Sequence, residues 1–270
     1  LHYPLRRQRQ MCIRDSPSTG SATQTACAAG TYQPSTGQSS CIDADAGYYV
    51  DTTGSTTQTA CALGTYQPNT GQSSCIDASA GYYVPSTAST SQTACILGTY
   101  QDSSGQSSCI DAFAGYYVPS TASTTQTACA AGTYQPSTGQ SSCIDASAGY
   151  YVDTTASTAQ TACSAGTYNP NTASSSSSAC TDASAGYYVG SAGSASQTPC
   201  AAGTYQPSTG QTSCTDASAG YYVPSTGSTT QTACTTGTYQ PNTGQSSCTD
   251  ASTGYYVDSV ASTTQTACAV

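Results

Sequence analysis

The sequence has little of what nucleic-acid-binding or membrane-bound proteins need. Its 270 residues include four Lys and Arg together, one His, one Met, one Phe and no Trp, and only 6% of the residues are charged. Four basic residues cannot form the positive surface with which proteins hold nucleic acid or anionic lipid. No run of residues approaches the roughly 18 apolar positions of a membrane span. We therefore expect no nucleic-acid partner and no membrane span in this chain.

The first 16 residues differ from the rest in composition. They hold every arginine, the only His, the only Met, and a cysteine, Cys12, that lies outside the spacing of the others. Codons for residues 6–16 can be chosen to match a transposon-end sequencing adaptor, so we interpret residues 1–16 as a translated adaptor. A genuine basic arm is the alternative. Without them the chain has 15 Cys, 12 Asp and no Glu, Lys, Arg or His, a net charge of −12.

A repeat dominates the remaining sequence. From Cys27 onwards the gaps between cysteines alternate between 14 and 20 residues, a period of 34, except where an insertion in the serine run 174–178 adds three residues. Residues 27–43 align with residues 44–60 at shared Gly, Tyr and Thr positions, so the underlying half-unit has 17 residues. Helical repeats of the same period are excluded, because Glu and Lys are absent and Gly, Pro, Ser and Thr recur every few residues.

The repeat predicts the domain organisation. Each first half-unit has two cysteines and each second half-unit has none. Because the pattern begins and ends within a repeat, we expect the chain to be an interior fragment of a larger protein. The boundaries are residues 17–26 (partial repeat), 27–60, 61–94, 95–128, 129–162, 163–199 (with the insertion), 200–233, 234–267 and 268–270 (start of an eighth repeat).

The cysteines indicate an oxidising compartment and a pairing. In the second half-unit, Ala44 and Gln58 take the places of Cys27 and Cys41, as the loss of one bonded pair would produce. We favour pairing within first half-units, which leaves Cys268 over. A register that joins each second cysteine to the next repeat stays open, because spacing cannot settle connectivity. The favoured pairs are Cys27–Cys41, Cys61–Cys75, Cys95–Cys109, Cys129–Cys143, Cys163–Cys180, Cys200–Cys214 and Cys234–Cys248.

Each half-unit is predicted to be a short β-hairpin. Residues 30–33 and 38–41 flank the segment 34–37, which runs from Pro to Gly as chain-reversing segments do. A glycine stands three residues after the start of all fourteen complete half-units, from Gly30 to Gly254, and predicts a positive φ or a close backbone approach.

The predicted fold class is all-β and disulfide-rich, with tandem 34-residue repeats forming an elongated rod; a β-solenoid is the alternative. Hairpins laid end to end would extend on the order of 250 Å, and stacked coils about 70 Å. Val, Ile, Leu and Phe number only 17 of the 254 residues after residue 16, too few for a conventional core. We expect disulfides, and tyrosines stacked between neighbouring units, to hold an array in which each unit contacts only those beside it.

The pattern CxxGTYxPxxGxxxC followed by xxAxxGYYV resembles the ephrin-receptor-like cysteine-rich repeat of the growth-factor-receptor cysteine-rich superfamily. Cys27, Gly30, Tyr32, Cys41 and Gly47 match that family's spacing. The family's second cysteine pair is replaced here by Ala and Gln. The resemblance implies an extracellular, rod-like, non-catalytic repeat region of a large surface protein.

The sequence offers no catalytic residues and implies no cofactor. A Ser or Thr nucleophile needs a base, and no His or Lys follows residue 16. There is no Cys/His cluster for zinc and no lysine for a phosphate-binding loop. We therefore predict that the chain is not an enzyme.

An aspartate follows each first half-unit's second cysteine by two residues. It is a weak candidate calcium ligand, because calcium prefers carboxylate oxygens. The interpretation we favour is a side chain that hydrogen-bonds the backbone of the turn into the next half-unit. The residues are Asp43, Asp77, Asp111, Asp145, Asp182, Asp216 and Asp250.

Threonines recur on the second half-units in Thr-x-Thr pairs. A regular threonine array is typical of ice-binding faces, although strand propensity explains it more simply. Segments such as residues 85–87 are compatible with O-linked sugar, whereas no Asn-x-Ser/Thr sequon exists. The pairs are Thr57 and Thr59, Thr125 and Thr127, Thr230 and Thr232, and Thr264 and Thr266.

We predict an extracellular stalk or adhesive spacer, secreted or on the cell surface. The alternative is a calcium-, glycan- or ice-binding repeat module. The expected partner is an unknown extracellular protein or glycan, with lateral self-association as a further expectation.

Overall fold

The computed structural model describes residues 24–269, so the adaptor-like residues 1–16 and most of the partial repeat 17–26 lie outside the described residues. It is all-β, with 28 two-residue strands paired as antiparallel hairpins, one in each half-unit. A single 3-10 turn, Ser177–Ala179, lies in the inserted serine run, and residues 24–269 contain no α-helix. The all-β fold class with repeated hairpins is thus confirmed.

The first half-units contain one hairpin each. These are β1 (Thr31–Tyr32) with β2 (Ile42–Asp43), β5 (Thr65–Tyr66) with β6 (Ile76–Asp77), β9 (Thr99–Tyr100) with β10 (Ile110–Asp111), β13 (Thr133–Tyr134) with β14 (Ile144–Asp145), β17 (Thr167–Tyr168) with β18 (Thr181–Asp182), β21 (Thr204–Tyr205) with β22 (Thr215–Asp216), and β25 (Thr238–Tyr239) with β26 (Thr249–Asp250).

The second half-units contain the others. These are β3 (Tyr48–Tyr49) with β4 (Thr59–Ala60), β7 (Tyr82–Tyr83) with β8 (Thr93–Ala94), β11 (Tyr116–Tyr117) with β12 (Thr127–Ala128), β15 (Tyr150–Tyr151) with β16 (Thr161–Ala162), β19 (Tyr187–Tyr188) with β20 (Thr198–Pro199), β23 (Tyr221–Tyr222) with β24 (Thr232–Ala233), and β27 (Tyr255–Tyr256) with β28 (Thr266–Ala267).

The hairpins are wider than the sequence predicted. In the first, Thr31 pairs with Asp43 and Tyr32 with Ile42, so the second strand follows Cys41. The predicted strand arm at residues 38–41 is wrong, because those residues belong to the long connection between the strands. A disulfide and a side-chain amide, described below, support this connection in place of a tight turn.

Each half-unit is numbered below from position 1 (residue 27 in the first, residue 44 in the second) to position 17. The chain divides into two units: one up to Asp111 together with Val118–Gln126, the other Ala112–Tyr117 together with the residues from Thr127 onwards. Every contact given below lies within one unit.

Backbone hydrogen bonds join each half-unit to the next. At the junction between residues 44–60 and 61–77, the Gly47 amide donates to the Gln67 carbonyl at 2.8 Å and the Val50 amide donates to the Gln72 carbonyl at 3.1 Å. In the other direction, the Gly71 amide donates to the Ala44 carbonyl at 2.8 Å. Because backbone groups are present in every residue, these bonds tolerate the alternation of two different half-unit sequences.

The glycines at position 4 bring in the second neighbour. All fourteen, from Gly30 to Gly254, have positive φ, between 80° and 92°. A Cβ on Gly47 would lie 2.3 Å from the carbonyl oxygen of Ala88, which belongs to the half-unit two places further along. Positive φ is therefore confirmed, and the close approach occurs as well. At the level of half-units, contacts extend beyond the expected immediate neighbour.

The buried residues are small. Position 1 is a buried Cys or Ala, such as Cys61 and Ala78, both 0% exposed, and position 7 of most second half-units is a Val exposed by at most 2%. Tyrosines occupy positions 5 and 6 and are mostly half-buried, with Tyr100 alone among the described tyrosines reaching the buried class. Small side chains, and not stacked tyrosines, therefore fill the interior of each unit.

Candidate functional site

A disulfide closes each first half-unit between positions 1 and 15. The joined residues are Cys27–Cys41, Cys61–Cys75, Cys95–Cys109, Cys129–Cys143, Cys163–Cys180, Cys200–Cys214 and Cys234–Cys248, the pairs that the sequence favoured. Cys268 is free and exposed. The position 1 sulfur is buried, whereas the position 15 cysteine reaches the surface in part, as with Cys61 and Cys75. Reductants therefore approach each bond from one side.

A buried glutamine at position 7 supports the wide connection of the first half-units. Gln67 is 3% exposed; its Nε2 donates to the Ser74 carbonyl at 2.8 Å, and its Oε1 accepts from the Asn69 amide at 3.2 Å. One amide thus satisfies backbone groups on both sides of the connection, which buried polar groups require. Sequence reasoning missed these residues. Their signal is that position 7 is Gln in six first half-units, and Asn169 in the one with the insertion.

Asn169 shows how the longer connection is accommodated. Its side chain is 0% exposed, and its Nδ2 donates to the Tyr150 carbonyl at 2.9 Å and to Ser174 Oγ at 2.8 Å. Ser174 begins the serine run that carries the insertion, so a shorter amide and a bent-in serine replace the glutamine contact.

Glutamine at position 15 replaces the disulfide in the second half-units. Gln58 Oε1 accepts from the Asp45 amide at 2.7 Å, and Gln58 Nε2 donates to Asp45 Oδ2 at 2.6 Å. The same backbone bond recurs from Ser79, Ser147, Ser184, Ser218 and Ser252 to Gln92, Gln160, Gln197, Gln231 and Gln265. Ala44, 0% exposed, occupies the place of the buried cysteine. A hydrogen bond here closes the loop that a covalent bond closes in the first half-unit.

Restoring the missing cystine is expected to stabilise a second half-unit. In the double variant Ala44→Cys/Gln58→Cys, a disulfide would close a loop like that of Cys27 and Cys41, whose Cα atoms are 5.7 Å apart. The chain-entropy model predicts about 3 kcal/mol for a 15-residue loop, less the lost glutamine hydrogen bonds. Chemical denaturation under oxidising and reducing conditions measures the gain. The single variants Ala44→Ser and Gln58→Ser are the controls, and an oxidised double variant no more stable than either would contradict the equivalence of the two half-units.

The aspartates at position 17 lie on exposed strand ends and make no side-chain hydrogen bond among the described residues. Asp43 pairs through its backbone with Thr31, and its carboxylate lies beside Gly71 of the next repeat, where a Cβ would be 3.4 Å from Asp43 Oδ1. The expected hydrogen bond to the turn is thus absent from the described residues. Within residues 24–269 no three His, Cys, Asp or Glu side chains come together as metal ligands would.

The second threonine of each Thr-x-Thr pair lies in the second strand of its hairpin, at position 16. Thr59, Thr127, Thr232 and Thr266 are exposed and pair with a tyrosine of the first strand. Each lies on its own two-stranded sheet, so the threonines do not form one continuous sheet within either unit.

A shallow cleft recurs between a second half-unit and the following first half-unit. One example is lined by Tyr188, Thr198, Pro199, Ala201, Thr204, Ser213 and Cys214. The equivalent residues one repeat later, Tyr222, Thr235, Thr238, Ser247 and Cys248, line another. A tyrosine ring, hydroxyl groups and a cystine thus form the walls, a combination suited to weak contact with a polar, partly apolar ligand such as a sugar.

No helix in the described part of the chain is long and apolar enough to cross a membrane. A search of the curated proteins finds no match to this chain. Residues 47–95 and 186–234 match the family model described as tyrosine-protein kinase ephrin type A/B receptor-like. Both segments begin at the position 4 glycine of a second half-unit and end at a position 1 cysteine, so the family model recognises the same phase of the repeat twice. These two segments, set in a tandem array of disulfide-closed hairpins, identify the repeats of this chain as cysteine-rich repeats of the ephrin-receptor-like family.

Proposed function

We propose that the chain is an extracellular structural spacer that separates or presents other parts of a larger surface or secreted protein. The observation that carries the proposal is how the polar groups of the half-unit are used. Amides and carbonyls at positions 1, 4, 7, 11 and 12 bond to neighbouring half-units, and the buried glutamines bond to their own connections. The most regular part of the sequence therefore serves the repeat itself.

The location and the absence of catalytic groups support this role. Seven disulfides and the ephrin-receptor-like family favour an extracellular module. A spacer needs length and stability, and neither requires a nucleophile or a general base. We propose further that the seven 34-residue repeats are the units by which its length is set.

The spacer proposal predicts that length scales with repeat number. Variants that lack residues 61–94, or residues 61–128, keep the alternation of half-units intact. Small-angle X-ray scattering should show the maximum dimension falling by the same increment for each repeat removed. A matched control removes one half-unit, residues 78–94, which breaks the alternation and should broaden the unfolding transition. A maximum dimension that stays constant when repeats are removed would contradict the spacer.

The second candidate is a weak glycan-binding module, and the recurring cleft with its tyrosine supports it. Binding would be multivalent, since each repeat offers one cleft and linked weak sites reinforce each other. Glycan-array binding that is lost in the Tyr188→Ala/Tyr222→Ala variant would favour this candidate. Saturable binding of calcium or of ice in parallel titrations would instead favour the other forms of the alternative.

A further inference from the structure

The turn that projects from every half-unit is the most accessible part of the described chain. Positions 8, 9 and 10 are all exposed in each of the fourteen half-units, from residues 34–36 to residues 258–260. In nine of them position 8 is proline and position 10 is threonine. These threonines are Thr36, Thr70, Thr87, Thr121, Thr138, Thr172, Thr209, Thr226 and Thr243.

Hydrogen bonding separates these threonines from most other hydroxyl side chains. In the described residues none of the nine has a side-chain hydrogen bond. Threonines at position 5 of the first half-units instead donate to a backbone carbonyl, as Thr65 does to Ala62 at 2.9 Å. At position 9 of the second half-units, the hydroxyl contacts a serine at position 12, as Thr154 does Ser157 at 2.8 Å. The position 10 hydroxyl is therefore free as an acceptor.

The local backbone separates them from the strand threonines. Thr59 and its equivalents at position 16 are also exposed, but their backbone pairs with the opposite strand. Position 10 lies in the connection between strands, two residues after a proline whose fixed φ keeps the segment open. Exposed Ser and Thr beside Pro are the composition of O-glycosylated stalks.

We propose that the nine Pro-x-Thr threonines are O-glycosylation sites, so that the repeat presents sugars at regular intervals along the chain. In the reaction, Thr Oγ1 forms a bond to C1 of a sugar nucleotide and the bond from C1 to the nucleotide diphosphate breaks. The diphosphate leaves with the bonding electrons, and the hydroxyl proton passes to a base of the glycosyltransferase. The inference goes beyond the spacer role and requires only passage through a secretory route that contains the transferase.

The chain contains its own controls. Position 10 is Ala192 and Val260 in two half-units, which shows that the turn forms without a hydroxyl. Thr53 and Thr155 occupy the same turn after an aspartate in place of the proline. The variant Thr87→Ala/Thr121→Ala therefore removes two sites by a substitution that the turn already accommodates.

The test is site mapping on the full chain secreted from cultured animal cells. An Asp-specific protease is suitable, because no Lys or Arg follows residue 16, and electron-based fragmentation locates each sugar. We expect sugar on the nine threonines, none at position 5, and the loss of two sites in the double variant. Sugar confined to positions 13 to 16, or distributed without regard to the preceding proline, would overturn the proposal. So would an unmodified chain from cells that glycosylate a co-secreted mucin-type reporter.

Discussion

Reduction of the disulfides is expected to unfold the repeats at room temperature. In the chain-entropy model each 15-residue loop contributes about 3 kcal/mol, a large amount for a chain that buries few apolar atoms. The largest fully buried side chains are Val, Asn and Cys, such as Val84, Asn169 and Cys61. Loss of the cystines removes the covalent closure of every first half-unit. Circular dichroism and amide hydrogen exchange, recorded before and after reduction and alkylation, measure the effect.

The control is alkylation without reduction, which modifies only free thiols such as Cys268 and should leave the exchange pattern unchanged. A local version uses Cys129→Ser/Cys143→Ser, which should lower the stability of one repeat by about 3 kcal/mol and leave distant repeats protected. If the fully reduced chain kept the slow exchange of Gly47, Val50 and Gly71 amides, the hydrogen bonds between half-units would suffice and the prediction would be wrong.

Substitution of a position 4 glycine is expected to be the most damaging single change. At Gly81, φ is +84°, and an added Cβ would lie 2.3 Å from the Ala122 carbonyl oxygen and 2.9 Å from its carbon. The left-handed backbone alone costs an L-residue about 1–2 kcal/mol. The contact with backbone adds to this cost, because no rotamer change relieves it. We expect Gly81→Ala to lose several kcal/mol in total, measured by chemical denaturation.

A matched variant separates the two causes. Gly237 has φ of +83° and nothing within 4 Å of its added Cβ, so Gly237→Ala should cost only the backbone term. Position 11 is a third comparison, because Ala88, Ala122 and Ala156 already hold φ of 54° to 55° there. Gly227→Ala should therefore be nearly neutral. Equal losses in Gly81→Ala and Gly237→Ala would show that the close approach to the second neighbour contributes nothing.

The sequence predicted the candidate site unevenly. The cysteine pairs and the position 4 glycines follow from spacing, since a regular loop and a residue without Cβ leave a visible mark in every repeat. The second strand of each hairpin was misplaced, because Ile42–Asp43 lies beyond the cysteine and two residues carry no periodic signal. The structure also brings no metal cluster to the position 17 aspartates of the described residues.

The sequence by itself determined the half-unit, the β class, the absence of catalytic groups after residue 16, and the glycines that need positive φ. These properties depend on covalent spacing, residue chemistry and local sterics. Only the tertiary structure decided that Gln67 supports a connection, that Gln58 replaces a cystine, and that Gly47 meets Ala88. Those contacts join groups 7, 13 and 41 residues apart, and they arise only when neighbouring half-units stack and their backbone donors and acceptors come within bonding distance.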